Sequence, residues 1–103
     1  MNPARIHADK LRKDESFVAS FQRKMKFVQR DYETPCLEWQ GGTDRAGYGR
    51  IHVKRHSERK TGRNFYAHRL NYMIERNAYI EPEEYILHQC HNRLCCNPEH
   101  FLL

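Results

Sequence analysis

The sequence contains no long hydrophobic run, and this absence argues against a membrane protein. None of its apolar stretches approaches the roughly 20 residues that a transmembrane helix needs. No apolar segment typical of an export signal follows Met1. The mean hydropathy is −0.97, and 30% of the 103 residues are charged. We therefore expect one small hydrophobic core in a cytoplasmic protein that has no membrane partner.

The chain also has few cysteines, and two uses of the four are open. They can form two disulfides or bind a metal ion. Disulfides persist mainly in secreted proteins, and the lack of an export signal argues against them. A small hydrophilic domain usually needs some additional stabilisation, which a structural metal supplies. The cysteine content therefore favours a metal site over disulfides.

Acidic residues are scarce in two segments of the chain. Residues 5–30 carry eight Lys or Arg against three acids, and residues 44–69 carry eight against two. Residues 70–103 carry only two basic side chains and five acids. The net charge of +5 is thus segregated, as in proteins that neutralise the phosphates of a nucleic acid. A solvated, solubilising surface is the alternative interpretation of the same charges.

The spacing of apolar residues predicts an α+β fold of β-hairpins and short helices. Apolar side chains recur at helical intervals over residues 16–29, which predicts an amphipathic helix capped by Ser16. Residues 1–15 show no such period and are expected to form a loose basic arm. We therefore divide the chain into this arm with its helix, residues 1–33, and a metal-containing domain, residues 34–103. Strands are expected at 36–40, 48–53, 64–67, 85–88 and 100–103, a helix at 68–76, and a basic loop at 54–63.

The last sixteen residues, HQCHNRLCCNPEHFLL, are the richest in chemistry. Thiolate and imidazole are ligands that zinc prefers, and it usually takes four in a tetrahedron. Cys90, Cys95 and His100 supply three ligands on one loop, and Cys36 is the distant cysteine that can complete the set. Cys96 is the alternative to Cys95, because neighbouring residues of an extended chain point to opposite sides. Cys36 has an alternative role as a small buried apolar residue.

The terminal motif resembles the core of the HNH, or His-Me finger, endonucleases. Residues 88–102 follow the pattern His-x-Cys-His-Asn-x-x-Cys-x-Asn-Pro-x-His-x-Leu. The resemblance is closest to the zinc-containing branch, which includes His-Cys box homing endonucleases and small phage proteins. Three upstream segments agree with the phage group in the same order, so that the resemblance covers residues 36–103. These segments are CLEWQG at 36–41, GYGR at 47–50 and AHRL at 67–70.

The resemblance implies a metal-dependent DNA endonuclease, with a phage-encoded protein in a bacterial host as a plausible setting. His88 falls on the general base, structural Zn²⁺ holds the scaffold and Mg²⁺ acts in catalysis. DNA is the implied partner, and a homodimer or a protein partner is left open. The implied zinc ligands are Cys36, Cys90, Cys95 and His100, and the residues that support the loop are His91, Asn92 and Asn97.

The chemistry of His88 can also be considered without the family. Hydrolysis of a phosphodiester needs an activated water, and a neutral imidazole takes its proton near physiological pH. General-base catalysis of this kind contributes roughly 10²–10⁴-fold. His88 must stay off the zinc for this role, because a lone pair bound to metal cannot accept a proton. A buried, hydrogen-bonded histidine and a further metal ligand are the alternatives.

The sequence departs from the family at its end. The ββα core of the family has a helix, after the last motif histidine, whose Asn or His holds Mg²⁺. Here the sequence stops at Leu103, so we expect a His-Me finger truncated after its second strand, with weak or no activity. The alternative function is a catalytically inactive module that binds nucleic acid or protein on an HNH scaffold.

Candidate DNA contacts lie in two places. Four basic residues lie on or after the second strand, and a fifth lies beside the zinc ligands near His88. Each of them can also be an ordinary solvated side chain. The five are Arg50, Lys54, Arg55, Arg63 and Arg93.

Overall fold

The computed structural model describes residues 3–54 and 62–103, and only the backbone at residues 3, 4, 54 and 62. The described chain forms helices and antiparallel strand pairs, which confirms the predicted small α+β domain. None of its described helices is both long and apolar enough to span a bilayer. The helices are α1 (Pro3–Lys13), α2 (Glu15–Gln22) and α3 (Ala67–Arg76). The strands are β1 (Met25–Val28), β2 (Cys36–Trp39), β3 (Arg50–Lys54), β4 (Gly62–Tyr66), β5 (Leu87–His88) and β6 (Phe101–Leu102), with a 3₁₀ turn at Pro98–His100.

The N-terminal segment differs from the prediction in two ways. The helix expected over 16–29 ends at Gln22, and its N-cap is Asp14 rather than Ser16, since the Asp14 carboxylate accepts a hydrogen bond from Phe17 N–H at 3.0 Å. The loose arm expected over 1–15 is largely helix α1. Residues within α1 are buried against the core, so tertiary packing supplies the order that the local period does not indicate.

The second half of the expected helix is strand β1, because it pairs with β2. The register places Met25 opposite Trp39 and Val28 opposite Cys36. Inter-strand hydrogen bonds here override the helical spacing of the apolar residues. The pairing of β1 with β2 joins residues on both sides of the predicted domain boundary between residues 33 and 34. It also sets the position of Cys36, the first residue of β2.

Trp39 lies at the centre of the packing between β2 and the loop that follows. Its ring is 3% exposed and its Nε1–H donates to Gly42 O at 3.0 Å. A Cβ atom at Gly41 would lie 2.7 Å from the Trp39 ring, and one at Gly49 would lie 2.5 Å from it. The ring therefore packs directly on glycine backbone, which explains the glycines in the CLEWQG and GYGR segments.

The remaining elements follow the predictions with shifted ends. The expected strand at 48–53 begins at Arg50, and that at 64–67 is β4, since Ala67 already begins α3. The strand expected at 85–88 is reduced to β5, which pairs with β6. The basic loop predicted over 54–63 is partly strand, because its ends belong to β3 and β4, and residues 55–61 lie outside the described part.

Candidate metal centre and histidine site

Four side chains that are distant in sequence meet in one cluster. The ligand atoms of Cys36, Cys90, Cys95 and His100 all lie within 4.8 Å of one another. Cys90 is half-buried, and the other three are buried. All four cysteines of the chain are free of disulfides. The structure thus brings together the four residues that the sequence selects as zinc ligands.

Two distances from His100 to cysteine sulfurs are close to those of a tetrahedral zinc site. Zinc binds thiolate at about 2.3 Å and imidazole at about 2.0–2.1 Å, so tetrahedral ligand atoms lie about 3.5–3.8 Å apart. His100 Nδ1 lies 3.4 Å from Cys95 Sγ and 3.7 Å from Cys36 Sγ. The donor set of three thiols and one imidazole is also one that structural zinc takes. The cluster therefore fits this ion in both chemistry and size.

Backbone hydrogen bonds attach the cysteine loop, residues 89–100, to β2. Trp39 N–H donates to Leu94 O at 2.9 Å, and Cys96 N–H donates to Leu37 O at 2.7 Å. These bonds flank Glu38, which forms an isolated β-bridge with Cys95. These backbone contacts place Cys95 of the loop beside Cys36 at the start of β2.

The two adjacent cysteines have different surroundings. Cys95 Sγ lies in the metal cluster, whereas Cys96 packs among apolar residues of the core and its Sγ lies 3.7 Å from Leu94 O. Burial raises the pKa of the Cys96 thiol to about 12, so it remains protonated. Of the two cysteines that the sequence left open, Cys95 therefore lies in the cluster and Cys96 does not.

Thr34 orients the imidazole of the cluster. His100 Nε2 lies 2.6 Å from Thr34 Oγ1, while Nδ1 faces the sulfurs. A proton on Nε2 that is donated to the hydroxyl leaves the Nδ1 lone pair for a metal ion. Sequence reasoning missed Thr34, because a threonine two residues before Cys36 carries no recognisable signal.

Burial opposes ionisation of the clustered thiols. It is the largest cause that raises the pKa of both Cys36 and Cys95. A bound divalent cation reverses this tendency, since it deprotonates the thiols that coordinate it. Buried thiols gathered around one imidazole are therefore suited to a cation.

Two asparagines of the cysteine loop tie it to β2. Asn92 Nδ2 donates to Glu38 Oε2 at 2.7 Å, and Asn92 Oδ1 accepts from Leu94 N–H at 3.0 Å. Asn97 Oδ1 accepts from Glu99 N–H at 3.0 Å, while its Nδ2 donates to the carbonyl of Pro35 at 3.3 Å. Both asparagines therefore have the geometry of loop-supporting residues.

Glu38 is a buried carboxylate that sequence reasoning missed. Arg30 holds it through two hydrogen bonds of 2.7 and 3.0 Å, and these bonds lower the pKa of Glu38. The ionised carboxylate can then accept a hydrogen bond from Asn92.

His91 supports the cysteine loop through its backbone. Its φ of 56° forms a turn after Cys90, and its N–H donates to His88 O at 3.2 Å.

Helix α3 also supports the cysteine loop, through Asn71. This side chain is fully buried, and its Nδ2 donates to Cys96 O at 2.7 Å. Its Oδ1 accepts from Gln22 Nε2 at 3.1 Å, which links α2 to the same point. The sequence suggested only a helix here, because an asparagine within a helical period gives no indication of its partner.

His88 is half-buried and lies outside the metal cluster. Its Nε2 is 3.1 Å from Cys95 O. A carbonyl oxygen only accepts hydrogen bonds, so Nε2 carries the proton and the lone pair is on Nδ1. Burial lowers the pKa of His88, against a smaller effect of the bond to Cys95. The ring is therefore held in the neutral tautomer that can accept a proton at Nδ1.

His88 belongs to a group of contacting rings, which we call the ring cluster. Its members are Tyr48, Tyr66, His68, His88 and Phe101. The His68 ring centroid lies 4.8 Å from that of His88, and the Phe101 ring lies 5.0 Å from it. Tyr48 contacts both histidines, at 5.9 Å from His88 and 5.6 Å from His68. Burial, with a smaller contribution from His88, lowers the pKa of His68 to about 3. His68 is thus a neutral neighbour of His88.

The structure describes the side chains of three of the five predicted DNA-contact residues, Arg50, Arg63 and Arg93. The Arg93 guanidinium lies 5.4 Å from the Tyr48 ring centroid and donates to Ala46 O. The Arg50 guanidinium lies 4.9 Å from the Tyr66 ring centroid, so both arginines flank the ring cluster. Arg63 lines a cleft of about 360 Å³ to which Tyr66, Tyr79 and Ile80 also contribute. The Lys54 side chain and Arg55 lie outside the described part.

A second metal site is not evident near His88. Among residues 3–54 and 62–103, the Cys₃His cluster is the one group of three or more potential ligands close enough to share an ion.

Comparison with known proteins agrees with this geometry. Residues 36–103 match the family described as the zinc-binding loop region of homing endonuclease. The chain therefore belongs to that family, and its cysteine cluster lies within the matching region.

One curated relative matches more than half of the chain. Protein 2.8 of Escherichia phage T7 is 38% identical over 65 residues, which cover 63% of this chain and 39% of the phage protein. The chain thus matches well under half of that relative's length. No solved structure matches the chain.

Proposed function

We propose that this chain is the zinc-stabilised part of an HNH-type DNA endonuclease in which His88 is the general base. The observation that carries the proposal is the hydrogen bond from His88 Nε2–H to Cys95 O, which leaves Nδ1 to accept a proton. Family membership supports the reaction class. An intracellular location belongs to the same proposal, and the phage origin of the relative supports it.

The proposed step is hydrolysis of a phosphodiester. A water oxygen attacks phosphorus, its proton passes to His88 Nδ1, and the bond from phosphorus to the 3′ oxygen breaks, with the departing oxygen taking a proton from solvent. Zinc at Cys36, Cys90, Cys95 and His100 takes no part, because its role is to hold the loop that carries the Cys95 carbonyl. Mg²⁺ is the proposed catalytic ion, and we assign it no ligand among the described residues.

Phosphate binding is proposed for two of the basic residues. Arg50 and Arg93 flank the ring cluster that contains His88, and their charges suit a DNA backbone that passes this histidine. Arg63, Lys54 and Arg55 remain sequence predictions for the same role.

A plasmid-nicking assay with Mg²⁺ tests the proposal. We expect His88→Ala to lower the rate of nicking by roughly 10²–10⁴-fold, since it removes the proton acceptor. His52→Ala is the matched control, because His52 is an exposed histidine on β3 and lies outside the proposed site. Zinc content should be equal in all three proteins, which separates a lost base from a lost fold.

Two results would contradict the enzyme proposal. Equal nicking by the unmodified chain and His88→Ala would remove the catalytic role of His88. DNA retention that falls steeply with salt but is not accompanied by cleavage would instead establish the inactive DNA-binding module.

A further inference from the structure

A cleft with mainly aromatic and apolar walls lies beside His88 and is not used by the proposed proton transfer. Its volume is about 490 Å³, which falls within the range of about 300–1,000 Å³ for small-ligand pockets. The side chains that line it include Tyr48, Tyr66, His68, Pro82, Tyr85 and Ile86.

The cleft shares two of its walls with the surroundings of His88, which does not itself line it. Tyr48 and His68 line it, and both rings also contact His88. A group that occupies the cleft therefore lies next to whatever His88 acts on. Because His88 is proposed to act at a backbone phosphate, the neighbouring group on the same nucleic acid is a sugar or a base.

Charge around the cleft suits a nucleotide. Arg50 lies against Tyr66 and Arg93 lies against Tyr48, so that cations stand beside two aromatic walls. Among the lining side chains His68 is neutral, since burial lowers its pKa to about 3, whereas Arg69 adds a third cation. Flat apolar walls with cations nearby match a base attached to phosphates.

One wall carries an exposed ring on a fixed turn. Tyr85 is 80% exposed, although it is a large aromatic residue. The Arg69 guanidinium donates to Glu81 O at 2.8 Å and to Glu84 O at 2.6 Å, which fixes the turn that precedes Tyr85. The ring is thus available for stacking on a backbone that is already ordered.

We propose that this cleft binds one unstacked base of the nucleic acid, so that the preferred substrate is DNA that is single-stranded or unpaired next to the cleavage point. The inference rests on the proposed function, and it adds the substrate class. Base pairing and stacking keep the bases of a regular duplex inside the helix, so fully paired DNA occupies the cleft only after a base is extruded.

Binding without cleavage tests this inference. Fluorescence anisotropy, with no Mg²⁺ added, compares a labelled oligothymidine with a DNA hairpin of the same number of nucleotides, whose strands are joined by a non-nucleotide linker so that every base is paired. We expect Tyr85→Ala to weaken single-strand binding about 5- to 100-fold, the loss typical of one base stacked on an aromatic ring. Hairpin binding should be unchanged.

Two variants serve as controls. Tyr85→Phe should retain single-strand affinity, because the stacking surface remains. Phe27→Ala should also retain it, since Phe27 is an exposed aromatic on β1 that does not line the cleft. Circular dichroism checks that each variant is folded, and the high exposure of Tyr85 favours this outcome.

Three outcomes would overturn the inference. They are unchanged single-strand affinity in Tyr85→Ala, an equal loss for single strand and hairpin, and no single-strand preference in the unmodified chain. The readout is independent of His88, so failure of the nicking experiment leaves this binding result interpretable.

Discussion

At the scale of single residues, the alternation of side chains along extended backbone decides which sulfur lies among the ligand atoms. Cys95 and Cys96 are adjacent, but the first Sγ lies among the ligand atoms and the second lies in the apolar core. The β-bridge between Glu38 and Cys95 fixes this alternation, because neighbouring side chains of extended backbone point to opposite sides. The two cysteines therefore form a matched pair for mutation.

We expect Cys95→Ser to lose zinc and Cys96→Ser to retain it. The first change removes a proposed ligand, whereas the second places a hydroxyl in an apolar site at a cost of about 1–3 kcal/mol. Elemental analysis of protein purified without chelators, together with thermal unfolding, measures both effects. Equal zinc content in the two variants would contradict the assignment of Cys95.

At the scale of elements, the cysteine loop is held between β2 and α3. Backbone bonds from Trp39 and Cys96 attach it to β2, and the Asn71 amide attaches it to α3. Because Asn71 also accepts from Gln22, one buried side chain connects α2, α3 and the loop. The position of the Cys95 carbonyl, and with it the His88 ring, depends on these attachments.

We expect Asn71→Ala to lower the free energy of unfolding by about 1–3 kcal/mol, since the buried Cys96 carbonyl loses its donor. Glu75→Ala is the control on the same helix, because Glu75 is exposed and also accepts from Gln22. That change should stay within about 0.5 kcal/mol. Urea unfolding with zinc present compares them, and an equal loss in both would show that the Cys96 contact contributes little.

At the scale of the whole molecule, the cluster links β2 to the C-terminal hairpin. Cys36 stands at the start of β2, and His100 directly precedes β6. β1 pairs with β2, and the core includes α1 residues together with residues of α3. Loss of the ion is therefore expected to destabilise the N-terminal helices as well as the loop that carries the zinc ligands.

We expect chelation of zinc to unfold the described chain in one transition. Structural zinc contributes of order 10 kcal/mol, which is comparable to the whole stability of a small domain. Far-ultraviolet circular dichroism and Trp39 fluorescence should change together, and added zinc should restore both. Helical signal that persists after Trp39 becomes exposed would instead support the predicted division into residues 1–33 and 34–103.

The sequence by itself determined the chemistry of the metal cluster and the family. Ligand type and spacing are local properties, so Cys90, Cys95 and His100 could be selected from one loop, and the motif extended the set to Cys36. The α+β class was also predictable, since apolar residues recur at helical intervals in some segments and alternate in others. The choice between Cys95 and Cys96 was not, because it depends on the strand that the loop meets.

Only the tertiary structure decided which surfaces meet. Met25–Val28 is a strand because β2 lies beside it, although its local spacing is helical. Thr34, Glu38 and Asn71 support the site through partners that are distant in sequence, and no local pattern marks them. The aromatic cleft likewise exists only where β4, α3 and the turn before Tyr85 come together, since a pocket belongs to packed elements and not to any one of them.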